Sequence, residues 1–246
     1  MLNQPTLEKL HALRLTVMAE AWGTQSKNPK VSTLSFDERF GMLVDAEYMA
    51  RDNRKLDRLL KDAQLRYPAA CIEDVEIAST RGLDKAQLRQ FVSGTWITEH
   101  LNIVFSGKTG VGKSYVACAL GHHACRKGHR VLFRRVPRLL EELALARAEG
   151  SYAKQLGKLS KVEVLILDDW GLGSLKEAQR NDLLEVVEDR YAKLSTIITC
   201  QLPIEKWHAW IADPTIADAI LDRLVRNAYK LDLTGPTRRP EVTKTN

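Results

Sequence analysis

The chain has 246 residues, 44% hydrophobic and 28% charged, enough to bury one full core with a smaller appendage and too apolar for overall disorder. A net charge of +6 favours a polyanionic partner, and the absence of any apolar run of membrane-span length or charged-then-apolar leader excludes a membrane protein and predicts a cytoplasmic one. Cys71, Cys118, Cys125 and Cys200 form no C-x-x-C pair, which points to reduced core thiols.

The first elements are helical. Leu10, Leu13, Val17, Met18 and Ala21 recur at helical spacing until Gly23, predicting one helix before a polar loop at Asn28-Pro29. Ser35 with Glu38 forms a capping-box pattern that starts a second helix. Phe36, Phe40, Leu43 and Tyr48 lie on adjacent turns of it, and a further stripe of Leu56, Leu59, Leu60 and Ala63 runs on until Pro68 stops it. Residues 1–68 therefore read as a small helical N-terminal domain and 69–98 as a connector with a short helix from Asp84 to Ser93, leaving 99–246 as the main domain.

From Leu101 the pattern alternates strand and helix, the mark of a parallel sheet covered on both faces. Five strands are predicted: Leu101–Ser106, Val131–Arg135, Val162–Asp168, Ser195–Thr199 and Tyr229–Leu233. Between the first strand and its helix stands Gly107-Lys108-Thr109-Gly110-Val111-Gly112-Lys113-Ser114, a complete G-x-x-x-x-G-K-[ST] phosphate-binding loop in the order that motif needs. Glycines let successive N–H groups close around a phosphate at the positive end of the helix that begins Ser114-Tyr115. Lys113 is placed to reach the β- and γ-phosphates of ATP, and the Ser114 hydroxyl to ligate Mg²⁺.

Arg126, Lys127, Arg130, Arg134, Arg135 and Arg138 follow with no acidic residue among them; the run is either a phosphate-tracking surface for DNA or a solvated basic face. Val162 to Asp169 is an apolar strand delivering two carboxylates to its C-terminal end, where ligands bind in open α/β sheets. Asp168 is the candidate Mg²⁺ holder and Asp169 the group that polarises an attacking water. Thr199 or Gln201, ending the next strand, either contacts the γ-phosphate or lytic water or simply forms a turn. In the helical segment from Ile216 to Arg226, Arg223 is a candidate finger toward a neighbour's γ-phosphate or the partner of Asp222 or Asp218.

The phosphate-binding loop, Leu167-Asp168-Asp169-Trp170-Gly171-Leu172, Thr199-Cys200-Gln201-Leu202-Pro203 and Ala217 to Leu224 together resemble the IstB-type helper ATPases of insertion-sequence transposition, AAA+ proteins related to bacterial replicative helicase loaders. The likeness extends to Leu59-Leu60-Lys61-Asp62-Ala63 and Arg66-Tyr67-Pro68-Ala69-Ala70, and so covers nearly the whole chain. It implies an α/β P-loop AAA+ core with a five-stranded parallel sheet, an ATPase that binds ATP and double-stranded DNA, homo-oligomerises through its ATP interfaces, and stimulates a partner transposase. Arg223 then matches the finger position.

Two departures from the AAA+ pattern stand out. Asp169 replaces the commoner glutamate, which predicts slow turnover. Little chain follows Leu233, too little for a full helical lid, so Arg238 is only a substitute for a lid-borne sensor arginine. The nearest alternative is a helicase loader gripping single-stranded DNA and a helicase; a P-loop small-molecule kinase is a more distant one. The tail from Pro236 to Asn246 reads as extended and exposed.

Overall fold

The computed structural model describes residues 4–76 and 81–238, and the chain divides into two compact units, Met1–Arg58 and Leu59–Asn246.

In the first unit the single helix expected around Leu10 to Ala21 is two, α1 (Gln4–Ala12) and α2 (Thr16–Gln25). Arg14 takes a positive φ of 58°, and the Leu15 N–H turns back to the Leu10 carbonyl at 2.8 Å, the hydrogen-bond pattern that closes a helix. No glycine announces this break; the Arg51 guanidinium holds it by donating to the Arg14 carbonyl at 3.1 Å. Leu15 offers α2 no side-chain cap. Glu47, only 4% exposed, supplies one by accepting the Met18 N–H at 3.0 Å, and Arg51 and Arg54 neutralise it at 2.9 and 3.4 Å.

Helix α3 (Phe36–Ala63) starts at the expected capping box. The Ser35 N–H donates to Glu38 Oε2 at 2.8 Å and the Glu38 N–H to Ser35 Oγ at 3.3 Å. Both apolar stripes lie on this one helix, which ends where Gln64 adopts a φ of 50°, before the Pro68 expected to stop it. The unit boundary falls earlier than the expected 68, because Leu59, Ala63 and Leu65 are buried in the second unit, Leu65 lying against Gly121. The segment 69–98, suggested as a connector, belongs to this unit as well and contributes the fully buried Phe91 and Trp96. Within it, α4 (Lys85–Ser93) is capped by Asp84 and Gln87 reciprocally, and Gly94 in the left-handed region turns the chain into α5 (Thr95–Thr98).

The remainder alternates as expected: β1 (Asn102–Gly107), α6 (Lys113–Arg126), β2 (Val131–Arg135), α7 (Val136–Ala148), α8 (Tyr152–Leu159), β3 (Val164–Trp170), α9 (Glu177–Arg190), β4 (Ser195–Cys200), α10 (Trp207–Ile211), α11 (Pro214–Val225) and β5 (Ala228–Leu233). All five strands are parallel, in the order β2-β3-β4-β1-β5. The main departure is β3, which begins two residues late and continues past both aspartates, because Trp170 pairs with Cys200 across a register shift. Alternate strand residues serve opposite faces: Val104, Leu165, Leu167 and Ile198 join the core built with α7, α9 and α11, whereas Ile166 meets Gly121 of α6. Among the described residues no helix follows β5, and none is long and apolar enough to cross a membrane. Of the expected extended tail, residues 239–246 lie outside the described residues; Pro236 to Arg238 are exposed.

Candidate nucleotide-binding site

Strand β1 lies between β4 and β5, so its loop opens at the point where the sheet order reverses, the usual ligand crevice of such sheets. Gly107 has a φ of 136°, and a Cβ there would sit 2.1 Å from the Leu233 carbonyl oxygen; only glycine fits this approach to β5. Gly112 precedes α6 without a side-chain cap, which leaves first-turn N–H groups of the helix for an anion. Lys113 is 7% exposed and its Nζ donates to the carbonyls of Gly107 and Lys108, both at 2.8 Å. Burial draws its pKa below the ordinary lysine value, against the opposing pull of Asp168 and Asp169.

Asp168 is fully buried. Its Oδ1 accepts the Ser114 hydroxyl at 2.5 Å and also the Thr199 hydroxyl, while Oδ2 accepts Nη1 of Arg66 at 3.1 Å. Asp169 has a φ of 59° at the irregularity between Leu167 and Trp170; its Oδ2 accepts Arg135 Nε at 2.7 Å. Thr199 thus sits beneath Asp168, and Gln201 holds the loop itself, its Oε1 accepting Thr109 Oγ1 at 2.6 Å. A hydroxyl and a carboxylate in direct contact below a phosphate-binding loop are hard oxygen donors that fit Mg²⁺.

A cavity of about 680 Å³ is lined by Thr109 to Tyr115, Asp169, Thr199 and Gln201. It is also lined by residues that sequence reasoning did not place there, among them Arg66, Tyr67, Val75, Arg81 and Leu83. Val75 and Leu83 give it an apolar wall suited to a flat base. Arg81 Nη2 donates to the Val111 carbonyl at 2.9 Å. Arg238 reaches the cavity too: its N–H donates to the Gly110 carbonyl at 2.8 Å and its guanidinium meets Glu76. The Arg66-Tyr67-Pro68 triplet carried a signal only through its likeness to a family, since the proline alone reads as a helix end.

Other sequence candidates lie elsewhere. Arg223 does not line the cavity; its Nε meets Glu188, its Nη1 donates to the Ala219 carbonyl at 3.0 Å, and its guanidinium stands 5.6 Å from the Tyr191 ring centroid. Arg226 is exposed and bonded to Asp222 at 3.2 Å. The buried residues of β2 interrupt the basic run. Arg126, Lys127 and Arg130 precede β2, whereas Arg134, Arg135 and Arg138 follow its buried part, toward the other end of a strand roughly 15 Å long. Acids meet most of them: from distant segments Glu73 with Arg126 at 2.8 Å and Glu163 with Arg130 at 3.7 Å, and from nearby on α7 Glu142 with Arg134 and Arg138 at 3.2 and 3.4 Å. Lys127 Nζ donates to the Ser93 carbonyl at 2.9 Å. All four cysteines are free, and burial pushes Cys118 up to about 11 and Cys125 and Cys200 up to about 12, which keeps these thiols protonated.

Comparison with known proteins agrees with this arrangement. The chain is 51% identical over 239 residues, 97% of each sequence, to an insertion sequence ATP-binding protein of Sinorhizobium fredii. It is 50% identical over 203 residues, 82% of this chain and 88% of the relative, to an insertion sequence ATP-binding protein of Pseudomonas fluorescens. Among solved structures, the DnaC helicase loader superposes with a TM-score of 0.58 at 24% identity, covering 69% of this chain and 99% of its own; DnaI does so at 0.56 and 23%, covering 74% and 93%. These two likenesses establish a shared fold. The family described as IstB-like ATP binding protein matches residues 8–245, and with half-identical relatives aligned along most of their length the chain belongs to that family.

Proposed function

We propose that this ATP-binding IstB-family chain is a slow ATPase that oligomerises on double-stranded target DNA and stimulates a partner transposase. The observation that carries the catalytic part is the fully buried Asp168 in contact with the Ser114 hydroxyl, with Asp169 beside it at the mouth of the phosphate-loop cavity. Lys113 exchanges its two loop carbonyls for the β- and γ-phosphate oxygens of ATP. Ser114 and Asp168 would hold Mg²⁺, which supplies charge neutralisation on the phosphates. Asp169 orients the attacking water and receives its proton, and must share or release the Arg135 contact to do so. Thr199 fixes the Asp168 carboxylate, and Gln201 fixes the loop through Thr109.

Because Arg223 lies outside the cavity of its own protomer, its role as a finger requires a neighbour. Arg223→Ala and Lys113→Ala proteins are each expected to be inactive, while their mixture recovers part of the hydrolysis through interfaces that pair an intact pocket with an intact finger. Steady-state phosphate release from confirmed mixed assemblies checks this. A rate no greater than the sum of the separate mutants would leave Arg223 as the structural partner of Glu188.

DNA binding is tested with the chain alone, comparing a duplex and a single strand of the same sequence with and without ATP over a salt range. The duplex is expected to bind more tightly, with affinity that falls steeply with salt and varies little with sequence, as phosphate contacts require. The support is the family membership together with the net charge of +6. A preference for single strands would instead favour a helicase loader.

A further inference from the structure

Asp168 is a buried carboxylate, and such a charge is costly unless compensated. The hydroxyls of Ser114 and Thr199 donate to it but bring no charge. Lys113, the nearest loop cation, directs its Nζ to the Gly107 and Lys108 carbonyls. Among the described residues, the basic side chain in hydrogen-bond contact with Asp168 is Arg66, whose Nη1 lies 3.1 Å from Oδ2. The two ends of this pair differ: the Asp168 side chain has no exposure, whereas that of Arg66 is 40% exposed. Arg66 lies in a short segment after α3 that begins at the positive-φ Gln64, and it also lines the 680 Å³ cavity. It can therefore turn into solvent without the desolvation cost that moving Asp168 would incur.

We propose that Arg66 is a displaceable counter-cation: it neutralises Asp168 until a divalent cation is held there, and then gives the carboxylate up. This inference rests on the reading of Ser114 and Asp168 as the cation donors. A guanidinium and a divalent cation at one carboxylate repel each other, so cation binding must work against the Arg66 pair. Arg66 is thus a positioning residue that sets how strongly the site takes its metal, and removing it tightens cation binding. A residue that merely supported the site, or one that bound phosphate, would weaken binding when removed.

The test uses the full chain saturated with a non-hydrolysable ATP analogue and Mn²⁺ as the probe, followed by electron paramagnetic resonance. Arg66→Gln is expected to bind Mn²⁺ on the order of tenfold more tightly than the unsubstituted protein. In EDTA without nucleotide it should melt at a lower temperature, and the gap should narrow once cation and analogue are added. Equal or weaker Mn²⁺ binding by Arg66→Gln overturns the proposal. Asp168→Asn separates the two levels: if it keeps full Mn²⁺ affinity, the assignment of Asp168 as a cation holder fails first. Should Arg66→Gln not fold, the unsubstituted protein still decides the matter through solvent exchange of the Arg66 guanidinium protons by NMR. Exchange that accelerates when Mg²⁺ joins the bound analogue supports displacement; unchanged or slower exchange refutes it.

Discussion

Lys113→Ala protein is expected to lose ATP affinity by about two to three orders of magnitude, whereas Asp169→Asn protein binds ATP normally and hydrolyses it roughly a hundredfold more slowly. The first substitution removes a nearly buried ammonium whose two present partners are loop carbonyls 2.8 Å away. Charge-assisted contacts to phosphate are worth about 1.5–3 kcal/mol each, so loss of the group that spans two phosphates reaches that range. The second substitution keeps the size of the side chain and its place at the cavity but removes the charge that accepts a proton. It also weakens the contact with Arg135, which does not touch the loop. Equilibrium titration with ATP and steady-state phosphate release distinguish the two. Unchanged turnover by Asp169→Asn would remove Asp169 from the mechanism, and unchanged affinity in Lys113→Ala would remove the loop reading itself.

Much of this site was legible in the sequence because its signals are local. The phosphate loop needs glycines at fixed offsets, and β1 and α6 flank it as the motif demands; the acidic end of β3 shows itself as an apolar run closed by two aspartates. Five strands were placed within two residues at each end for the same reason, since parallel strands buried on both faces read as short apolar runs. What escaped depends on contacts distant in sequence. Nothing near Arg14 marks a helix break, because Arg51 on α3 holds it, and nothing near Arg66 points to Asp168. The basic run shows what a one-dimensional reading leaves out. Six cations with no acid among them look like a single surface in one dimension, yet they flank both ends of β2, and Glu73, Glu163 and Asp169 arrive from distant segments and Glu142 from the next helical turns to meet most of them.

Arg190→Met protein is expected to lose about 4 kcal/mol of stability and to melt roughly 10 °C lower, although the residue does not line the phosphate-loop cavity. Arg190 ends α9 at 2% exposure, and no acidic side chain forms a salt bridge with it among the described residues. Its guanidinium instead donates to backbone: Nη1 to the carbonyls of Leu159 and Val162 at 2.7 and 2.9 Å, and Nη2 to that of Ser195 at 2.5 Å, with Nε reaching the Thr196 hydroxyl at 3.2 Å. These acceptors belong to the end of α8, the approach to β3 and the start of β4, so one planar fork ties together three chain segments at the N-terminal ends of the parallel strands, opposite the end that carries the phosphate loop. Methionine fills similar volume but leaves those buried carbonyls short of a donor, each a cost of about 1–3 kcal/mol where no other donor replaces it. Arg190→Lys should recover only part of the loss, since an ammonium on a shorter reach cannot span the same acceptors. Arg138→Met serves as the control, because that side chain is 77% exposed and exposed pairs contribute less than about 1 kcal/mol. Thermal denaturation of the three variants, with ATP affinity measured well below the transition, provides the readout. Affinity should remain near that of the unsubstituted protein while the Arg190→Met midpoint falls; a midpoint no lower than that of Arg138→Met would mean that water or neighbouring backbone satisfies the cage without the guanidinium.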